Sequence, residues 1–137
     1  MNEDAYIGRT SDAIVAKADA RAWLVVDDEL LIRKSLGKVL RARGYAVEVA
    51  STGAEGLEKV AQVRPQVMIL DMRLPDTDGL SVLRRARQDD PLLQIIIITA
   101  FASVDTAVKA LKDGAYDYIT KPIDPEYLDH LIDKAIR

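Results

Sequence analysis

Five polar residues stand where apolar runs of this sequence end. Asp27 and Asp28 close "AWLVVDD", Asp71 closes "VMILD", Thr99 closes "IIIIT", and Lys121 with Pro122 closes "YITKP". If these runs are strands of one sheet, three carboxylates, a hydroxyl and an ammonium meet along a single edge. Carboxylates gathered in this way repel by about 1 to 4 kcal/mol per pair at ~4 Å, depending on the local dielectric. Proton uptake through a raised pKa offsets such repulsion, and so does a hard divalent cation, which takes oxygen ligands. Magnesium suits the count: it binds one or two carboxylates, keeps several waters and takes a phosphate oxygen as a further ligand. Lys121 adds a second positive charge, and Thr99 a hydroxyl donor. A carboxylate nucleophile, a metal, an ammonium and a hydroxyl are the parts that place and neutralise a transferring phosphoryl group, with Asp71 as the attacking group.

The elements that must position these residues alternate between two periods. Apolar, β-rich runs predict strands at 22–26, 45–50, 67–70, 94–98 and 115–119. Between the first two, Ile32, Leu36, Val39 and Leu40 recur at helical spacing, and Gly44 suits a left-handed cap. Thr52-Gly53-Ala54-Glu55 is a capping-box pattern opening a helix with Leu57, Val60 and Ala61 inside, which Pro65 ends. Leu80, Val82, Leu83 and Ala86 make a third helical face that stops at Pro91. Ser103 caps a fourth helix carrying Val104, Ala107, Val108 and Leu111, which stops at Gly114. Asp124 caps the last helix, Pro125 suits its first position, and Leu128, Leu131, Ile132, Ala135 and Ile136 line one side. Strand and helix in alternation predict a parallel sheet covered on both faces, wound by right-handed crossovers into a doubly wound α/β fold. Ligands of such folds sit at the carboxyl ends of the strands, where all five polar positions fall.

Composition narrows the alternatives. A chain of 137 residues that is 49 % hydrophobic is of single-domain size with a substantial core. Its 19 Lys and Arg against 22 Asp and Glu give a net charge of -3, which disfavours nucleic acid and acidic lipid as partners. Without cysteine there is no disulfide framework or thiolate metal site. No apolar run approaches the ~20 residues that span a bilayer. Residues 1–20 are interrupted by Glu3, Asp4, Arg9, Asp12, Lys17 and Asp19, so they hold no signal-peptide core. A soluble, cytoplasmic protein is expected, with 1–20 as an extension, flexible or partly helical, and 21–137 as the domain.

The segments "LVVDDE", "VMILDMRLPDTDG", "IIIITA" and "GAYDYITKP" resemble the CheY-like receiver domain of bacterial two-component response regulators, and the likeness covers essentially all of residues 21–137. The resemblance implies a flavodoxin-like (βα)5 fold with strand order 2-1-3-4-5. It implies Asp71 as phospho-acceptor and Mg2+ held by Asp28, Asp71 and the backbone carbonyl of Arg73, with Asp27 acting largely through water. Thr99 and Lys121 then contact the phosphoryl oxygens, Lys121-Pro122 is a cis bond, and Thr99 and Tyr118 form the switch that reshapes a dimerisation surface. The implied donor is a sensor histidine kinase or a small acyl phosphate. "DMRLPDTDGL" and "ITAFASVDTAVKALKDGAYDYITKPID" are similar to receivers of the NtrC class, which carry ATPase and DNA-binding modules downstream. The chain is expected to be an excised or stand-alone receiver controlling transcription through such an effector. It departs from the usual pattern in its extension and in Ile123-Asp124, where an aromatic is common.

Blander roles stand beside these. Asp27-Asp28 alone is an ordinary helix junction, Thr99 a β-branched strand residue, and Tyr118 a core or rim aromatic. Asp76 and Asp78 read as turn and cap residues, His130 as solvated surface, and Trp23 as packing at the start of its strand. Arg73 and Phe101 are loop surface or, more sharply, a screen that slows hydrolysis of the acyl phosphate. Among rival functions, a haloacid dehalogenase-like phosphohydrolase needs Asp-x-Asp after the first strand, and "VVDDEL" lacks that spacing. A flavin-binding flavodoxin needs a Gly, Ser and Thr-rich phosphate loop where this chain has acids. The remaining alternative is a receiver-shaped interaction module that is not phosphorylated. No turnover of an outside substrate is expected.

Overall fold

The computed structural model describes residues 22–100 and 104–135. Five strands alternate with five helices: β1 (Trp23–Val26), α1 (Leu30–Ala42), β2 (Val47–Ala50), α2 (Gly53–Val63), β3 (Val67–Asp71), α3 (Gly79–Asp89), β4 (Gln94–Thr99), α4 (Val104–Lys112), β5 (Asp117–Thr120) and α5 (Pro125–Ala135). The four strand pairs of this sheet are parallel, in the order β2-β1-β3-β4-β5. This is the doubly wound fold expected from the alternation, in the flavodoxin-like strand order that the resemblance implies. The segment 1–20, Phe101, Ser103 and Ile136 lie outside the described residues.

Side-chain alternation along the strands builds two cores. Leu24, Val26, Met68, Leu70, Ile95 and Ile97 face one side, where Val60 of α2, Val82, Leu83 and Ala86 of α3, and Ala110 of α4 cover them. Trp23, Val25, Val67, Ile69, Ile96 and Ile98 face the other, under Leu36 and Leu40 of α1 and Leu128, Leu131 and Ile132 of α5. Burying an aliphatic side chain of this kind stabilises by about 1.5–3 kcal/mol, so the central strands β1, β3 and β4 anchor the molecule.

Two helical faces differ from the sequence expectation. On α2, Ala61 is exposed, and the buried stripe is Gly53, Gly56 and Val60. Glycine lets the helix approach β1 so closely that a methyl group on Gly56 would stand 3.0 Å from Val26 Cγ2, so the contact runs along the Gly53, Gly56 and Val60 stripe and Ala61 falls outside it. On α4, Val108 and Leu111 are 43 % and 48 % exposed, while Ala110 is fully buried. The short helix meets the sheet through a small residue, which leaves its larger aliphatics facing out. The capping box of α2 is also shifted: Thr52 Oγ1 accepts from Glu55 N–H at 3.1 Å, but Glu55 Oε1 reaches past Thr52 to Ser51 N–H at 2.8 Å.

Helix ends follow local chemistry. Asp78 caps α3 by accepting from Ser81 N–H at 2.8 Å, and Asp124 caps α5 by accepting from Glu126 N–H at 3.1 Å. Gly44 and Gly114 take φ of 91° and 105° after α1 and α4, a region open to glycine. Arg64 adopts φ 54° between α2 and Pro65, and its N–H closes on Val60 O. The Lys121-Pro122 peptide is cis.

Candidate functional site

The carboxyl ends of β1, β3, β4 and β5 form one rim, and register sets its spacing. Val26 pairs with Leu70, Asp71 with Ile98, and Thr99 with Thr120. Asp27 and Asp28 follow β1, Asp71 is the last residue of β3, Thr99 is the last of β4, and Lys121 follows β5. Backbone bonds carry the sheet pattern into the rim: Asp27 N–H donates to Ala50 O at 3.0 Å, Met72 N–H to Ile98 O at 3.1 Å, and Lys121 N–H to Thr99 O at 2.8 Å.

Side chains then converge. Lys121 Nζ lies 3.0 Å from Asp27 Oδ2, 3.4 Å from Asp71 Oδ2 and 3.3 Å from Glu29 Oε1, with its side chain only 11 % exposed. Asp27 is fully buried and its Oδ1 accepts from Glu29 N–H at 2.8 Å. Arg73 N–H donates to Asp71 Oδ1 at 3.3 Å. A cleft of about 200 Å³ opens over this group, lined by Asp28, Glu29, Asp71, Arg73, Thr99, Ala100 and Lys121. Asp27 lies behind the lining, fully buried, with its Oδ2 against Lys121 Nζ. Asp71 and Thr99 are buried in the wall, whereas Asp28 and Arg73 stand in the open.

The electrostatics follow from this packing. Burial, then the charge of Asp27, holds the Asp71 carboxyl above its ordinary range, and the Arg73 N–H and Lys121 only partly oppose this. For Lys121, burial acts to lower the ammonium's pKa, but the hydrogen bond and charge of Asp27, then Asp71 and Glu29, outweigh it and raise the value. One carboxylate oxygen each from Asp27, Asp28 and Asp71 lies within 4.8 Å of the others. A compact, all-oxygen, negatively charged set with an open side fits a hard divalent cation such as Mg2+ and offers nothing to a soft one.

Tyr118 is placed elsewhere. It sits half-buried on β5 opposite Ile97, packs against the core beneath α3 and α4, and lines a separate cavity of about 300 Å³ with Ile119, Thr120, Pro122, Ile123, Asp124 and Tyr127. His130 is exposed on α5, and Trp23 is buried against Tyr45 with ring centroids 5.5 Å apart. Glu29 was missed from sequence; the third acid of "DDE" was its signal. Asp76 sits in the loop bend as expected for a turn residue, but the helix it caps is α2 rather than its own: it accepts from Gly53 N–H at 2.8 Å and Ala54 N–H at 2.9 Å.

Comparison with known proteins agrees with this geometry. Residues 23–133 match the family model described as response regulator receiver domain. The DNA-binding transcriptional regulator NtrC of Escherichia coli K12 is 40 % identical over 112 residues, covering 82 % of this chain and 24 % of the relative. The chain thus spans about a quarter of the length of that regulator. A CheY-like receiver domain protein of Methanospirillum hungatei superposes with a TM-score of 0.81 at 34 % identity, covering 86 % of this chain and 95 % of the other. The beryllofluoride-activated NtrC4 receiver domain dimer superposes with a TM-score of 0.79 at 38 % identity, covering 83 % and 94 %. With fold, rim and sequence in agreement, this chain belongs to the response regulator receiver domain family, in its CheY-like, NtrC-like branch.

Proposed function

We propose that the chain is a phosphoacceptor receiver in which Asp71 takes a phosphoryl group from a phosphohistidine of a sensor histidine kinase or from a small acyl phosphate. The observation that carries this reading is the convergence on Asp71. A carboxylate at the end of a central strand shares one cleft with Lys121, Thr99, Arg73 and Asp28. An Asp71 oxygen attacks phosphorus and a new O–P bond forms. The P–N bond of phosphohistidine, or the P–O bond of an acyl phosphate, breaks, and its electron pair leaves on the imidazole nitrogen or the acyl carboxylate. Lys121 balances the charge on the phosphoryl oxygens and Thr99 donates a hydrogen bond to them.

Asp28, Asp71 and the Arg73 carbonyl are the residues to hold Mg2+, with Asp27 acting through water and through Lys121. Bound there, Mg2+ offsets the mutual repulsion of the acids and the charge of the incoming phosphoryl group. The chain acts on itself, by phosphoryl uptake and later hydrolysis, and turns over no outside substrate.

Thr99 and Tyr118 are the proposed switch. Tyr118 stands between the core and a cavity, so two positions are open to it. The surface it borders carries exposed Val108 and Leu111 on α4 and Tyr127 on α5, an apolar face suited to a second receiver after phosphorylation. The solved NtrC4 receiver is a beryllofluoride-activated dimer, which supports the same outcome here. The output is control of transcription, as in the NtrC relative, from a protein acting in the cytoplasm.

Intact-mass spectrometry after incubation with acetyl phosphate tests the acceptor. One added phosphate that requires both Mg2+ and Asp71, and is absent in Asp71→Asn, supports the reading. No adduct under any condition overturns it in favour of an unphosphorylated interaction module.

A further inference from the structure

The two arms of the cleft are not joined only through the sheet. One arm is the segment after β1, Asp27 and Asp28; the other is the loop from Asp71 to Gly79. Helix α2 lies against both. Its Gly56 packs on Val26, the residue before Asp27, and a methyl group on Gly53 would collide with Thr77 and stand 2.9 Å from Val82 Cγ2. The residues leading into α2 are tied to the first arm as well, since Asp27 N–H donates to Ala50 O at 3.0 Å.

The second arm is a closed loop. Gly79 N–H donates to Met72 O at 2.7 Å, Leu74 N–H to Thr77 O at 3.2 Å, and Arg73 and Asp78 form an antiparallel bridge. Asp76 stands at its tip, and both carboxylate oxygens are used: Oδ1 accepts from Gly53 N–H at 2.8 Å and Oδ2 from Ala54 N–H at 2.9 Å. Thr52, the residue before the helix, caps Glu55 N–H, so Gly53, Ala54 and Glu55 each have their N–H satisfied by a side chain, two of them by a residue of the loop after β3. A charged acceptor on two successive amides at a helix N-terminus is a strong contact, helped by the helix dipole. The Asp76 carboxyl is accordingly held below its ordinary range, chiefly by Gly53 N–H and then by Ala54 N–H.

We propose that Asp76 is a positioning residue for the cation site: by clamping the acceptor loop to α2, it fixes the Arg73 main chain and Asp71 at a set distance from Asp27 and Asp28. The inference rests on the receiver function proposed above and deepens it. Asp76 touches neither cation nor phosphoryl group. Its effect passes through Arg73 on one side and through Gly53, Ala50 and Asp27 on the other. The free energy of cation binding is then not spent on ordering the loop.

The test is titration calorimetry with MgCl2 on the wild type, Asp76→Ala and Asp76→Asn, with amide hydrogen exchange and thermal melts in EDTA. Asp113→Ala, which removes a surface partner of Arg84, serves as control. Asp76→Ala is expected to weaken Mg2+ binding about tenfold, the low end for loss of an outer-shell partner, and to speed exchange at Gly53 and Ala54. Asp76→Asn keeps one acceptor oxygen and is expected to fall between, while Asp113→Ala leaves the affinity unchanged. If Asp76→Ala does not fold, the Asp76→Asn titration decides. Wild-type affinity retained in the folded variants, with a lowered melting temperature, makes Asp76 merely structural and overturns the proposal alone. A wild type that binds no Mg2+ overturns the parent reading and this proposal with it.

Discussion

Lys121 Nζ lies closer to Asp27, at 3.0 Å, than to Asp71, at 3.4 Å. The ammonium therefore leans toward the acid that is sealed from the cleft and only partly offsets the one exposed to it. Asp27 holds the lysine at the rim, where the proposed function needs it for a phosphoryl group on Asp71.

Replacing Lys121 by Met leaves two buried carboxylates facing each other, a change expected to cost on the order of 3 kcal/mol at neutral pH. The folded pKa of Lys121 is raised above its ordinary 10.5, so its contribution is complete below that value and fades as pH climbs through the folded one. Urea denaturation should show the largest gap between wild type and Lys121→Met near neutrality and convergence at strongly alkaline pH. A gap that persists there would mean that packing, not charge, is what the lysine supplies.

Asp71 has the opposite consequence for the metal-free protein. Its folded pKa is raised above 3.8, so the unfolded chain ionises first and stability falls as pH climbs from that value through the folded one. Asp71→Asn escapes this loss. In EDTA it should be more stable than wild type at neutral pH, with the gap closing below about pH 4, where the unfolded carboxyl is protonated too. Mg2+ should stabilise the wild type and leave the variant nearly unaffected. Equal stabilities in EDTA at neutral pH would contradict the burial argument.

Glu29 is the third acid on Lys121, with its side chain 59 % exposed. Contacts of that kind contribute little, so Glu29→Gln is expected to change stability by less than about 1 kcal/mol. It should still speed labelling by acetyl phosphate, because one competitor for the lysine is gone. A slower rate at saturating Mg2+ would show that Glu29 aids the transfer.

Gly79 faces the acceptor backbone directly: a methyl group there would stand 2.6 Å from Asp71 O and 2.7 Å from Met72 Cα. Backbone cannot step aside as a side chain does, so Gly79→Ala should destabilise by about 1–3 kcal/mol. Under the proposed function it should also lower labelling at Asp71, since the displaced atoms are the backbone of Asp71 and of the residue after it. Thermal melts and intact-mass labelling on the same preparation separate the two effects.

The rim residues were legible because each ends an apolar run, and the alternation of periods fixes which end of the sheet those runs share. Asp27, Asp28, Asp71, Thr99 and Lys121 needed only that logic. The faces of α2 and α4 were not legible, because apolar periodicity cannot reveal that Gly56 admits a close approach to Val26 or that Ala110 displaces Val108 and Leu111 from the contact. Asp76 was hidden for another reason. Its partners, Gly53 and Ala54, lie 23 and 22 residues away and are brought to it only by the crossover from α2 to β3.

The ladder between β3 and β4 pairs Asp71 with Ile98, one rung before Thr99. Side chains alternate faces along a strand, so a slip of one residue in this ladder would send Asp71 to the opposite face of the sheet from its partners. Assembly of the rim therefore depends on the register of the sheet, and a copy that has paired its strands wrongly separates Asp71 from Asp27 and Lys121. Under the proposed function such a copy is silent: it has no acceptor to offer a donor, so an error of folding removes the signal and does not mimic it.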